Sequence, residues 1–270
     1  GADIILDFKE LGLVNEPKNF QELFAFHQGI TFQDNLERLV ESTNQIVGRG
    51  QKFEITPEAR QCILQSVTRT KKFMQSKEYE DLLKDFIVRV GKIYKEIPSA
   101  SQIDNVNLRG RWIEYLITEE DLERKKAIQT LKQEKKLPPF KTEDKLGDYS
   151  KIYPNYQVEI DIKTKMLFLD GNPKAYNIDK LLEFLATEKS VYLIFLLGVG
   201  EKNETTIRLC SIFDTRLIPN TYTIHRWAGR KSRGVAQFTG KGLMQILDGY
   251  KEPQIDEQQA REFLEKLMKL

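Results

Sequence analysis

Apolar residues recur at three- and four-residue spacing over Phe20–His27, Asn35–Val47, Pro57–Met74 and Tyr79–Ile97, the period of a helix with one buried face. Thr56-Pro57-Glu58 reads as a helix start, with threonine as N-cap and proline in the first turn, where its missing N–H costs nothing. These segments predict an N-terminal helical subdomain over residues 1–100 that ends at Pro98-Ser99. A further helix is expected from Asn105 to Thr118. Charges then crowd every face of Glu119–Lys136, which reads as a solvated helix broken by Leu137-Pro138-Pro139.

The texture changes after Pro139. Val158-Glu159-Ile160-Asp161-Ile162-Lys163 alternates strictly, as a half-buried strand does. Asp179–Thr187 predicts a short amphipathic helix, and Val191–Val199 a strand buried on both faces. Thr206–Phe213 and Tyr222–Trp227 read as further strands, with helices near Leu243 and over Glu257–Met268. Strand, helix and buried strand in succession specify an α/β (α+β) core, a mixed central sheet covered by helices. That core is expected to occupy residues 101–270.

Side chains on a strand alternate between faces. Val158, Ile160 and Ile162 therefore face the core, and Glu159, Asp161 and Lys163 face together the other way. Two carboxylates and an ammonium on one face are costly to bury unless they pair or hold a metal. Asp148 lies thirteen residues before Asp161, a separation that an antiparallel hairpin closes, so a third acid joins them. Converging carboxylate oxygens suit Mg²⁺, and a lysine beside such a metal orients the attacking water in phosphodiester hydrolysis.

Composition narrows the alternatives. Hydrophobic residues make up 40% and charged residues 30% of the 270 positions, enough apolar material for a core. No run approaches the 18 apolar residues of a membrane span. The opening residues carry no secretory pattern, and a cytoplasmic setting is expected. Two cysteines, Cys62 and Cys210, with two histidines, His27 and His225, leave little from which to build a disulfide framework, a zinc site or a histidine triad. The net charge of +2 means that any nucleic-acid surface must be local.

The pattern Asp148, a gap, then Asp161-Ile162-Lys163-Thr164 resembles the PD-(D/E)XK nuclease superfamily, Type II restriction endonucleases in particular. Gly110-Arg111-Trp112-Ile113-Glu114 looks like the family's leading helix, whose acid joins the metal site. The order that follows, Asn172–Lys180 into a helix and then Val191–Val199, also matches. The likeness covers roughly Leu108–Val199. It departs from the family where a proline would stand: Gly147 precedes Asp148, and Asp144 is close enough to compete for the same role. The resemblance implies that Asp148 and Asp161 bind Mg²⁺, that Lys163 positions water, and that Glu114 or Glu159 completes the metal shell.

A second segment, Ile224–Lys241, gathers cations, glycines and hydroxyls with almost no acids. Arginine suits guanine and glutamine suits adenine, while lysines and hydroxyls grip phosphate. Arg226, Arg230, Lys231, Arg233, Gln237, Thr239 and Lys241 are therefore the expected DNA contacts, and the glycines would let the backbone approach the duplex. His225 reads as a phosphate contact or a packed residue. The resemblance implies Mg²⁺-dependent cleavage of both strands of duplex DNA at a short, usually palindromic sequence by a homodimer. A structure- or damage-directed repair nuclease is the alternative within the same fold. A non-catalytic DNA-binding regulator is the alternative outside it, and it would leave the co-facing acids without a purpose.

Overall fold

A computed structural model of the chain describes residues 52–96, 103, 106–134, 136–138, 146–167, 174–202, 204–224, 232–248 and 254–270. The helices expected over Phe20–His27 and Asn35–Val47 lie outside these, as do Asp144, His225, Arg226, Trp227, Arg230 and Lys231.

The first described helix, α1 (Pro57–Met74), starts as its sequence requires: Thr56 is extended, and its side chain accepts from the Ala59 N–H. Ser76 caps α2 (Lys77–Ile93) in the same way. A 3₁₀ turn, Tyr94–Glu96, follows α2, and then come α3 (Val106–Thr118) and α4 (Asp121–Glu134). The charged helix α4 buries only Arg124 and Ala127, as its composition suggests.

Four strands form the main sheet: β1 (Tyr149–Ile152), β2 (Gln157–Met166), β4 (Ser190–Val199) and β5 (Thr205–Ser211), in the order β1-β2-β4-β5. The sheet is mixed. β1 and β2 form an antiparallel hairpin, β2 and β4 run parallel over ten residue pairs, and β4 and β5 are antiparallel. The parallel pair is joined through β3 (Lys174–Asn177) and α5 (Ile178–Leu185), because parallel neighbours need a crossover. All ten residues of β4 are buried, which is why its sequence reads as continuous rather than alternating.

Each face of the sheet carries its own core. Val158, Ile160 and Ile162 of β2 and Val191, Leu193, Phe195 and Leu197 of β4 pack with Leu82 and Phe86 of α2 and Trp112 and Leu116 of α3. On the other face Tyr192, Ile194 and Leu196 meet Ile63 and Val67 of α1 and the apolar sides of α5, α6 (Gly240–Asp248) and α7 (Glu257–Lys269). A smaller antiparallel sheet, β3-β7-β6, adds β6 (Thr221–Ile224) and β7 (Val235–Phe238). It contributes Tyr176, Ala236 and Phe238 to that second core.

No boundary in the packing falls near residue 100, where the sequence suggested one. Both α1 and α2 supply core to the sheet, so all seven described helices belong with it in one compact unit that begins at Phe53. Residues 1–52 and 227–232 form a second unit, which lies almost entirely outside the described residues. Among the described residues, no helix is long and apolar enough to cross a membrane.

Candidate active site

The β1–β2 hairpin brings Asp148 to Asp161. Tyr149 pairs with Ile160, the last pair of the register, and Asp148 immediately precedes it. The Asp148 N–H also turns to β2, donating to Ile160 O at 2.9 Å. The Asp148 carboxylate is then held in turn, because Oδ2 accepts the Ile162 N–H at 2.7 Å.

Gly147 makes this approach possible. A Cβ at position 147 would stand 2.9 Å from Ile160 N and 3.0 Å from Ile160 O, closer than real carbon contacts. Both atoms belong to the backbone of a central strand and cannot yield. The glycine that stands where the resembled family has proline is therefore required by local geometry.

Asp161 is 3% exposed. Its Oδ1 accepts from Lys163 Nζ at 2.5 Å, and the Lys163 side chain retains 16% exposure. The other oxygen, Oδ2, is buried without a hydrogen-bond partner. Leaving such an acceptor unsatisfied costs on the order of 1–3 kcal/mol. Burial raises the Asp161 pKa well above the usual carboxylate range; Lys163 opposes that shift, and Asp148 adds to it.

Glu114, on α3, comes up beside Asp148. Burial and the Asp148 charge push its carboxyl to about 7. Lys163 feels burial in the opposite sense, but Asp161, Asp148 and Glu114 outweigh it and leave the lysine pKa raised. The ammonium is thus held protonated at neutral pH, a charge partner rather than a base. Three acids and one lysine interact here.

Glu159 sits one strand step from Asp161 and accepts from Ser150 Oγ at 2.7 Å through both oxygens. Its charge is not among the principal influences on Glu114, Asp161 or Lys163. Of the two acids proposed to complete the shell, Glu114 is the one drawn into the cluster.

The oxygens suit a hard divalent cation. Among the described residues no three His, Cys, Asp or Glu side chains form a ready-made cation cage. The donors come instead as two neighbouring contacts, Asp148 with Asp161 and Asp148 with Glu114. The unpartnered Asp161 Oδ2 and the excess of acid over base both favour a cation at this place.

The basic segment divides. Arg233 is 4% exposed, and its guanidinium donates to Asp179 Oδ1 at 2.5 Å, to Phe53 O at 2.9 Å and to Met268 O at 3.3 Å. Its own N–H donates to Asp179 Oδ2 at 2.7 Å. Arg233, one of the expected DNA contacts, here ties three parts of the core to a buried carboxylate. Gly234 beside it adopts φ 93°, the left-handed region that favours glycine, and its carbonyl accepts from the Ile178 N–H. Thr239 is also engaged, since its Oγ1 accepts from Gly242 N–H at 3.0 Å and donates to Asn220 Oδ1 at 3.2 Å. Gln237 is half-buried on β7, whereas Lys241 stands exposed on the first turn of α6. Arg226, Arg230 and Lys231 lie outside the described residues.

Sequence reading missed Tyr176 and Tyr192. Both hydroxyls are buried without a hydrogen-bond partner, and the Asp161 charge is among the influences that raise both phenols, after burial. The available signal was a tyrosine within the apolar run Val191–Val199, because a buried phenol carries a polar tip that must find a partner. Trp112 is a core residue, 0% exposed. Comparison with family models, with characterised proteins and with solved structures finds no significant match.

Proposed function

We propose that this chain is a Mg²⁺-dependent DNA endonuclease of the Type II restriction kind, with a PD-(D/E)XK core, cutting both strands of duplex DNA at a short specific sequence. The observation that carries the proposal is the meeting of Asp148 with Asp161 at the end of the β1–β2 hairpin, with Lys163 bonded to one Asp161 oxygen and the other unpartnered among the described residues. A fold selected for stability alone would avoid a buried carboxylate with an orphaned oxygen beside two more acids. Such sites are kept where they do chemistry.

In this reading Asp148 and Asp161 hold the cation, and Glu114 completes the oxygen set. Bound Mg²⁺ would polarise the phosphoryl group and lower the pKa of a coordinated water. Lys163 remains protonated and partly open to solvent, so its charge offsets the negative charge that gathers on the phosphorane. The buried β2 strand keeps these groups rigid. Lys241 and Gln237, with the cations of 225–232, would contact the duplex. Palindromic targets would be met by a two-fold homodimer.

The test is to incubate the protein with phage-length duplex DNA in Mg²⁺ buffer, beside EDTA and Lys163→Ala controls. Discrete fragments that disappear in both controls are expected. A smear would favour a structure- or damage-directed nuclease. Tight binding with no cleavage in any divalent metal would leave a DNA-binding regulator instead.

A further inference from the structure

Among the described residues, Asp161 Oδ2 and Tyr192 Oη of the main sheet and Tyr176 Oη, packed against Tyr192, are buried polar atoms without partners. The strand register explains why they gather. β2 and β4 are parallel neighbours in which Glu159 pairs with Tyr192 and Asp161 with Ile194. Paired residues share a face, so Tyr192 stands one step diagonally from Asp161, within reach of a long side chain. The Tyr176 ring meets the Tyr192 ring edge-on, with centroids 5.8 Å apart, and also touches Phe238 at 6.0 Å. Both tyrosines are thus walled in by aromatic packing, with little freedom except at their hydroxyls. Tyr192 is 0% exposed and Tyr176 4%.

We propose that Tyr192, backed by Tyr176, is a positioning residue for Asp161, donating its phenol proton to Asp161 Oδ2 and fixing the plane of that carboxylate. A carboxylate oxygen has two lone pairs. One can accept from the phenol while the other stays directed toward a cation, and Lys163 keeps hold of Oδ1. Groups that orient a metal ligand in this way act without touching the reacting atoms. Asp161 already exerts its charge and a side-chain hydrogen-bonding influence on the Tyr192 phenol, so the two groups are neighbours and a small adjustment of either side chain would complete the bond. The positioning role rests on the nuclease reading given above; the contact itself does not.

The test uses the full chain and its Tyr192→Phe variant, which keeps the ring and its packing. Three readouts are taken: melting temperature in EDTA, the ¹³Cγ resonance of Asp161 at one fixed pH, and Mg²⁺ affinity by calorimetry. We expect the variant to melt lower, to move the Asp161 resonance, and to bind Mg²⁺ about tenfold more weakly. Tyr176→Phe should move the same quantities less. An unengaged hydroxyl behaves oppositely, since deleting a buried group with no partner leaves stability unchanged or raises it. An unmoved Asp161 resonance with unchanged Mg²⁺ affinity would overturn the proposal, while DNA cleavage by the wild-type protein would still uphold the nuclease reading. Conversely, a wild-type protein that cuts no DNA, beside a variant that shifts the resonance and weakens Mg²⁺, would sink the nuclease reading and keep the Tyr192 contact.

Discussion

At position 147 a single missing side chain admits Asp148 to the strand that carries Asp161. Gly147→Ala should force the hairpin apart locally. Cleavage is expected to fall at least about tenfold, with a smaller loss of stability, as a misplacement of about 1 Å can cost a hundredfold in rate. Asp161→Asn tests the other side of the same balance. It removes the proposed cation ligand, so on the nuclease reading cleavage should vanish, yet it also removes a buried acid facing Asp148. Thermal melting in EDTA should therefore show the variant as stable as the parent protein or more so, as functional sites often trade stability for activity. Glu114 sets a pH dependence. Its folded pKa of about 7 exceeds the ordinary value of 4.5, so the folded state holds a proton that the unfolded chain releases. Stability is then greatest at low pH within this window, falls as pH rises from about 4.5 to about 7, and levels off above. Asp161 acts in the same sense. Melting curves in EDTA should follow this course, and Glu114→Gln should flatten it. Mg²⁺ competes with the same proton, so its affinity should weaken as pH drops below about 7.

The elements position chemistry and architecture within the same short segments. The stretch from 224 to 241 reads as one basic patch, but its members diverge once β7 and α6 form. Arg233→Ala would strand Asp179, which is 6% exposed, without its cation. A loss of roughly 3 kcal/mol in unfolding free energy is expected from denaturant titration. Lys241→Ala should leave unfolding unchanged and instead weaken DNA binding, lowering the salt dependence of affinity by about one counterion. A reversed result, with Arg233 affecting only binding, would restore it to the interface. The same contrast holds on β2: Val158, Ile160 and Ile162 supply the core while Asp161 and Lys163 carry the site, because strand periodicity separates them.

For the whole molecule, the two cores on opposite sides of one sheet make β2 and β4 the most enclosed part of the fold, and the candidate site is mounted on the outer of these strands, beside the edge hairpin. This lends the acids a rigid support while leaving Lys163 partly open. If the chain acts on two-fold DNA sites, sedimentation with an uncleaved duplex in Ca²⁺ should show two chains per duplex. A single chain per duplex would argue against symmetric double-strand cleavage.

Much of this was legible along the chain. The period of 3.6 marked α1 and α3, Thr56-Pro57 marked the start of α1, and strict alternation marked β2, because these signals depend on neighbours in sequence. The thirteen-residue gap from Asp148 to Asp161 already implied a hairpin, and the acids and lysine already shared a strand face. Other features depended on contacts between distant segments. Arg233 looks like any basic loop residue until Asp179 and Phe53, 54 and 180 positions away, close around it. The periodicity of the helices over 57–93 reports that one face is buried and not what buries it, and only the packing shows the sheet against them. The tyrosines behind Asp161 come from β3 and β4, and only the parallel register of β4 with β2 sets Tyr192 beside that carboxylate. Local pattern determines which residues can form an element and which face is apolar; long-range packing determines which polar groups meet there.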